Sequence, residues 1–286
     1  MQVYRPEHPI ELGLGTVTVD LTTRALVMGI LNRTKDSFYQ PAATFDLNAL
    51  YSRAAQLVND GADLLDIGGV KAGPGDEVSE AEELGRVVPV VTELVRRFDL
   101  PISVDTWRAT VAKASFSEGA VIGNDISGFS DPEYLAVAAQ HHATVVATHI
   151  RLRPRLVDPN PVYDDVTESV KSFLLERVER ARNAGVAGNR IILDAGLDLG
   201  KTAAQSLQLL RGSDELAGLG LPLLLSSSNK TFLGVALDLA LEERREASLA
   251  ATALGIAAGC RIVRVHDVQG SVRVRDVIER LLEVAP

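Results

Sequence analysis

The chain has 286 residues and a formal net charge of -9, with 46% hydrophobic and 23% charged residues. That balance belongs to a globular chain with apolar material for one large core. It excludes a general nucleic-acid or anionic-membrane surface, since both need clustered lysine and arginine, though it leaves room for a small local anion site.

The single Cys260 excludes an intrachain disulfide and a cysteine zinc site, and reads as a buried thiol on a helix. No apolar stretch reaches the ~20 residues of a membrane helix. Residues 1–9 lack the basic-then-apolar pattern of a secretory signal. The expected location is cytoplasmic.

Residues 10–26 read as a hairpin, with Gly13 and Gly15 near its turn and Val17 and Val19 alternating with polar residues. Eight short apolar runs follow, each ending in polar groups. Ile30-Leu31 leads to Asn32, Leu64-Leu65 to Asp66, Ile102-Ser103-Val104 to Asp105, and Val121-Ile122-Gly123 to Asn124-Asp125. Val145-Val146-Ala147 leads to His149, Ile191-Ile192-Leu193 to Asp194, Leu223-Leu224-Leu225 to Lys230, and Ile262-Val263 to Arg264, His266 and Asp267.

Between the runs, apolar residues recur at helical spacing, as in Ala54, Leu57 and Val58. The spacing predicts helices near 46–60, 79–98, 108–118, 132–141, 164–185, 202–211, 231–258 (with a break around Ala240) and 271–284. Ser79 with Glu82 forms a capping box, and Asp131-Pro132 sets an N-cap before a proline at the first helical position. Strands alternating with helices predict a parallel sheet. A buried strand that ends in a carboxylate builds a site, because an uncompensated buried charge costs more than packing returns. The pattern predicts one α/β domain over residues 1–286, a TIM (β/α)8 barrel with its chemistry on one rim and the N-terminal hairpin plugging the other end. Residues 151–162, with three prolines and three arginines, form an irregular loop on the chemical rim.

Asp105, Asn124, Asp194 and Lys230 suit a flat heterocycle rich in N–H donors with one carbonyl. A carboxylate accepts two parallel bonds from an amidine-like edge, and an amide donates and accepts at once. Asn32, Arg264 and His266, with Lys35 and Lys71 as further candidates, suit an anion, and the helix after Asp267 can add its N-terminal amides. Plainer readings stand beside these. A strand-end aspartate is often a helix cap, and Asp66 fits that or a bond to Gly68-Gly69. His141-His142 reads as a solvated cap, and His149 as either a core histidine or a site residue. Gly196 to Thr202 is similar to a phosphate loop but one residue short, which excludes a nucleotide triphosphatase.

From Met28 onward the chain resembles the dihydropteroate synthase family. The resemblance rests on Met28-Gly29-Ile30-Leu31-Asn32 with Thr34 and Asp36-Ser37-Phe38, and on Asp66-Ile67-Gly68-Gly69 with Pro74-Gly75. It continues through Ser103-Val104-Asp105-Thr106, Asn124-Asp125-Ile126-Ser127-Gly128, Asp194 with Gly196 and Gly200-Lys201, Ser228 with Lys230, and Arg264-Val265-His266-Asp267. It implies a dimeric TIM barrel that condenses dihydropterin-methyl pyrophosphate with p-aminobenzoate in folate synthesis. By resemblance, Asp105, Asn124, Asp194 and Lys230 hold the pterin. Asn32, Arg264 and His266 hold pyrophosphate, with Mg²⁺ at Asn32, and Lys230, Arg264 and His266 are the catalytic groups.

The departures matter as much. The family's second loop reads Gly-Gly-Glu-Ser-Thr-Arg-Pro-Gly; here it is Gly68-Gly69-Val70-Lys71-Ala72-Gly73-Pro74-Gly75. The arginine that grips pyrophosphate is absent. Arg33 and Lys35 stand where the family has valine and proline, and Leu199 stands where a phenylalanine lies against the aminobenzoate ring. The expectation is a homologue with weak, absent or redirected synthase activity. The alternative is an active synthase whose loss is compensated by Arg33, Lys35 or Lys71. A pterin-barrel methyltransferase is a third reading, but those enzymes normally need a corrinoid partner domain.

Overall fold

The structure, a computed structural model, describes residues 3–33 and 47–283. The hairpin is β1 (Glu11–Leu14) and β2 (Val17–Asp20), antiparallel across a turn at Gly15. Eight parallel strands then close a barrel in the order β10-β3-β4-β5-β6-β7-β8-β9. They are β3 (Leu26–Asn32), β4 (Leu64–Gly68), β5 (Ile102–Asp105), β6 (Ile122–Asp125), β7 (Thr144–Thr148), β8 (Ile191–Asp194), β9 (Leu223–Leu225) and β10 (Cys260–Val265). The surrounding helices are α1 (Leu47–Asn59), α2 (Glu80–Arg97), α3 (Ala109–Ser117), α4 (Tyr134–Gln140), α5 (Val166–Asn183), α6 (Ala203–Arg211), α7 (Ser213–Ala217), α8 (Thr231–Leu237), α9 (Arg245–Ala257) and α10 (Val268–Glu283). The expected TIM barrel with its N-terminal hairpin is present.

Two-residue periodicity sorts each strand. Val27, Leu65, Ile67, Val104, Val145, Leu193 and Val263 pack outward in the large core shared with the helices. Met28, Leu64, Ile122, Val146, Ile192, Leu224 and Ile262 form a second cluster with Ile10, Leu12, Leu14 and Leu21. The hairpin therefore fills the barrel from its N-terminal end. Two residues further along the same strand faces come Asp66, Asn124, Thr148, Asp194, Ser226 and Arg264. A polar layer stands directly on an apolar one, and that layer floors the site.

Several local expectations need correction. Cys260 is buried as expected but opens β10 rather than lying on a helix. Helix α4 begins at Tyr134, and Asp131 accepts from the amides of Glu133 and, across to α3, Ala109. Ser79 caps α2 through the Glu82 amide, but the Glu82 carboxylate turns to Arg86 rather than back to the cap. The expected break near Ala240 separates α8 from α9 at Asp238, which has a left-handed backbone. Among the described residues, no helix is long and apolar enough to cross a membrane.

Candidate functional site

A cavity of about 620 Å³ opens among the C-terminal strand ends. Asn32, Asp105, Asn124, Asp194, Lys230, Arg264 and His266, all singled out from sequence, line it together. Lys71 lines it as well. Lys35, Thr34, Asp36, Ser37 and Phe38 lie outside the described residues.

Arg264 reaches down from β10 between two carboxylates. Its Nε donates to Asp66 Oδ2 at 2.6 Å and its Nη2 to Asp105 Oδ2 at 2.9 Å. Asp66 is fully buried and also accepts from Ser103 Oγ at 2.5 Å and Asn124 Nδ2 at 3.3 Å. It is neither a helix cap nor a partner of Gly68-Gly69: its side chain points into the barrel and orients Asn124 and Arg264. The missed signal is its place two residues beyond Leu64, matching Asn124 two residues beyond Ile122.

Asp105 is only half supplied with donors. No described residue donates to its Oδ1, although that atom is buried. An unpaired buried acceptor is costly and is met by a donor when a ligand arrives. Burial pushes the Asp105 carboxyl above its usual range, with Arg264 opposing and Asp66 reinforcing the shift. Asp194 Oδ1 accepts the Gly196 amide at 2.7 Å. Burial raises this carboxyl too, against the pull of Lys230. Lys230 Nζ donates to Leu197 O at 2.7 Å, and burial lowers its affinity for the proton while Asp194 raises it.

Burial, with Arg264 and Arg53 nearby, pulls His266 down to about 4, so its ring is neutral near pH 7. Ser228 Oγ accepts the His266 amide at 3.2 Å and lies 3.0 Å from its Nδ1. The hydroxyl and Nδ1 share one hydrogen, and which of them donates it follows the ring's tautomer. His266 is thus a neutral imidazole near pH 7. At the start of α10 the Gly270 amide is already taken, by Asp267 Oδ1 at 2.9 Å. Arg33 donates to the carbonyls of Gly85 and Arg86 on α2 and does not line the cavity, so it does not replace the missing loop arginine.

The family described as pterin binding enzyme matches residues 28–266. This chain belongs to that pterin-binding enzyme family. It is 41% identical over 276 residues to dihydropteroate synthase of Synechocystis, covering 96% of each chain. It is 43% identical to the inactive dihydropteroate synthase 2 of Mycobacterium tuberculosis, covering 92% of this chain and 85% of the relative. The crystal structure of Xanthomonas albilineans dihydropteroate synthase with 4-aminobenzoic acid superposes with a TM-score of 0.90 at 35% identity, covering 97% of this chain and all of that one.

Within this pterin-binding family member, Lys201 explains why the short glycine-rich loop is no phosphate loop. Its buried Nζ donates to Gly196 O at 2.8 Å and Leu199 O at 3.0 Å, and lies 2.8 Å from His149 Nδ1. The ammonium is enclosed by its own loop. His149 packs edge-on against Phe173 at 4.8 Å and is pulled down to about 3 by burial and by Lys201, which makes it a core histidine. His142 is exposed as expected, whereas His141 is half-buried against Phe116.

Burial pulls Lys201 down to about 7, below its unfolded value of 10.5. Between those values the unfolded chain holds more protons than the folded one, so stability rises with pH. Against Lys201→Met, the wild type should gain on the order of 1 kcal/mol per pH unit above pH 7. Urea midpoints at pH 7 and 9 measure this; a constant difference between the two proteins would refute it.

Proposed function

We propose that this chain is a dihydropteroate synthase homologue that binds a pterin-type ligand, with synthase activity weak, lost or redirected. What carries the reading is the orphaned Asp105 Oδ1 beside Asp194 and Lys230 in one buried cavity. Two carboxylates match the N–H edges of a pterin, Lys230 its carbonyl, and Asn124 a ring position that donates and accepts. Arg264, neutral His266 and Asn32 face the pyrophosphate of dihydropterin-methyl pyrophosphate. Asn32 offers a single neutral oxygen, which fits a Mg²⁺ that keeps mostly water and phosphate oxygens. Such an ion would add charge stabilisation at the leaving group. The synthase step needs the pterin held by Asp105 and Asp194, pyrophosphate drawn away, and the aniline nitrogen of p-aminobenzoate placed at the exposed carbon.

Impairment follows from the anion side. Arg264 is shared between two carboxylates, His266 is neutral, and the second loop has Gly73 where the family has arginine. Losing one charge-assisted contact in a closed site costs about 2–4 kcal/mol, or two to three orders in rate. One observation favours full activity instead: Arg155 Nη2 lies 3.2 Å from where a Gly75 Cβ would stand, bringing a cation back to the same loop. Product formation from dihydropterin-methyl pyrophosphate and p-aminobenzoate separates the readings. We expect calorimetric pterin binding with turnover well below ~1 s⁻¹. Turnover of roughly 1–10³ s⁻¹ would instead establish a working synthase.

The reading includes a homodimer. Val235 and Leu237 on α8, Leu254 on α9, and Val277 and Leu281 on α10 are exposed apolar residues, and α9 packs against α10. Sedimentation should give twice the chain mass, and Leu254→Glu should shift the protein to monomer. A monomeric wild type would rule the dimer out.

A further inference from the structure

Two loops join across the cavity mouth. The Arg155 amide, on the loop after β7, donates to Ala72 O at 3.0 Å on the loop after β4, and Arg155 Nη2 donates to Asp76 O. In the barrel order β5 and β6 lie between β4 and β7, so the joined loops strap the mouth over their ends. Lys71, Arg153 and Arg155 line the cavity from this strap. Among the described residues, neither Arg153 nor Arg155 pairs with a carboxylate.

Two carboxylates that line the cavity near the strap are already engaged. Asp158 accepts from Arg151 at 2.7 Å, and Asp198 accepts the Thr231 and Phe232 amides. Leu152, Leu156 and Val157 of the same loop also line the cavity, yet are 40%, 51% and 66% exposed. The described lining is therefore graded: carboxylates matched by Arg264 and Lys230 at the floor, apolar side chains along the wall, arginines at the mouth. That basic mouth stands out on a chain of net charge -9. A space of about 620 Å³ is of the size that takes a drug-sized ligand.

We infer that the ligand is a pterin conjugate: a pterin on the floor, a flat apolar segment along the loop wall, and a tail with two or more negative charges held by Arg153 and Arg155. This rests on the reading that the floor takes a pterin. A single carboxylate needs one cation, whereas two arginines lining the same mouth match a polyanionic end. Such contacts are partly solvated, so each added charge contributes modestly and is screened by salt.

Calorimetric titration of the full chain with 6-hydroxymethylpterin, pteroate, pteroylmonoglutamate and pteroyltriglutamate tests it. Affinity should rise about 2–5-fold per added tail carboxylate, and the rise should vanish near 0.5 M salt. Arg153→Gln and Arg155→Gln should flatten the series relative to hydroxymethylpterin. The Arg153 side chain is exposed and makes no hydrogen bond or ion pair among the described residues, so its variant is safe from misfolding. Equal affinity along the series, with hydroxymethylpterin bound, would overturn the tail site alone. No binding of any of the four would overturn the pterin reading as well. If the arginine variants weakened only dihydropterin-methyl pyrophosphate, the mouth would serve the leaving group and the proposal would fail.

Discussion

Asp194→Asn is expected to lower pterin affinity by about 100-fold or more while leaving the fold intact. Asparagine keeps one carbonyl oxygen, which continues to accept the Gly196 amide now bound at 2.7 Å. What it loses is the second acceptor and the charge. Its NH2 would face the N–H edge of the ligand, donor against donor. A hydrogen bond to a charged group contributes about 1.5–3 kcal/mol, and forcing two donors together adds to that loss. Lys230 also loses its counter-charge, because Asp194 is the neighbour that most favours its protonated form. The two effects are coupled and act in the same direction. Calorimetry gives the affinity, and a thermal melt confirms that the barrel persists. Undiminished affinity in a folded variant would place the pterin elsewhere.

The barrel was legible because its strands are short, apolar and end in polar residues, and because period-two alternation repeats at each one. The members of the site were legible for the same reason: Asp105, Asn124, Asp194 and Arg264 each sit at a strand end. Their partners were not. Arg264 bonds Asp66 across 198 positions of chain, and nothing local to either residue announces it. Asp66 fits a cap or a bond to Gly68-Gly69 on local sequence alone, yet its parity with Leu64 already points it inward. Arg33 looked like a replacement cation because sequence gives the charge but not the direction; its guanidinium turns to the α2 carbonyls. Arg155 was seen only as part of a proline-rich loop, since the bond that brings it to Ala72 joins two irregular segments with no periodicity to read. His266 shows a further limit. Its residue type marks it as an anion contact, but its charge depends on burial, which sequence position alone does not fix and which keeps the ring neutral.

Gly196→Ala should be the most damaging small substitution in the site. Gly196 has φ +63°, a region that costs an L-residue roughly 1–2 kcal/mol. The added Cβ would also stand 1.9 Å from the backbone oxygen of His149. That oxygen cannot retreat cheaply, because the His149 amide is bonded to Asp194 O at 2.9 Å and its ring is held by Lys201. Relief must come from the 196–201 loop, at a further ~1–3 kcal/mol of packing strain. The sum, about 3 kcal/mol, corresponds to a fall in Tm of roughly 6–12 °C. Function should fall with it, since the Gly196 amide orients Asp194 and the next carbonyl, Leu197 O, anchors Lys230. Gly200→Ala is the control. Its φ is similarly positive at +65°, but its Cβ would meet Arg151 Cβ at 2.8 Å, a much smaller overlap than 1.9 Å against a carbonyl oxygen. The melts should therefore rank wild type, Gly200→Ala, then Gly196→Ala, with pterin affinity lost mainly in the last. A Gly196→Ala protein that melts with the wild type would mean that the loop does not approach the β7 backbone this closely, and that Asp194 and Lys230 are held by something else.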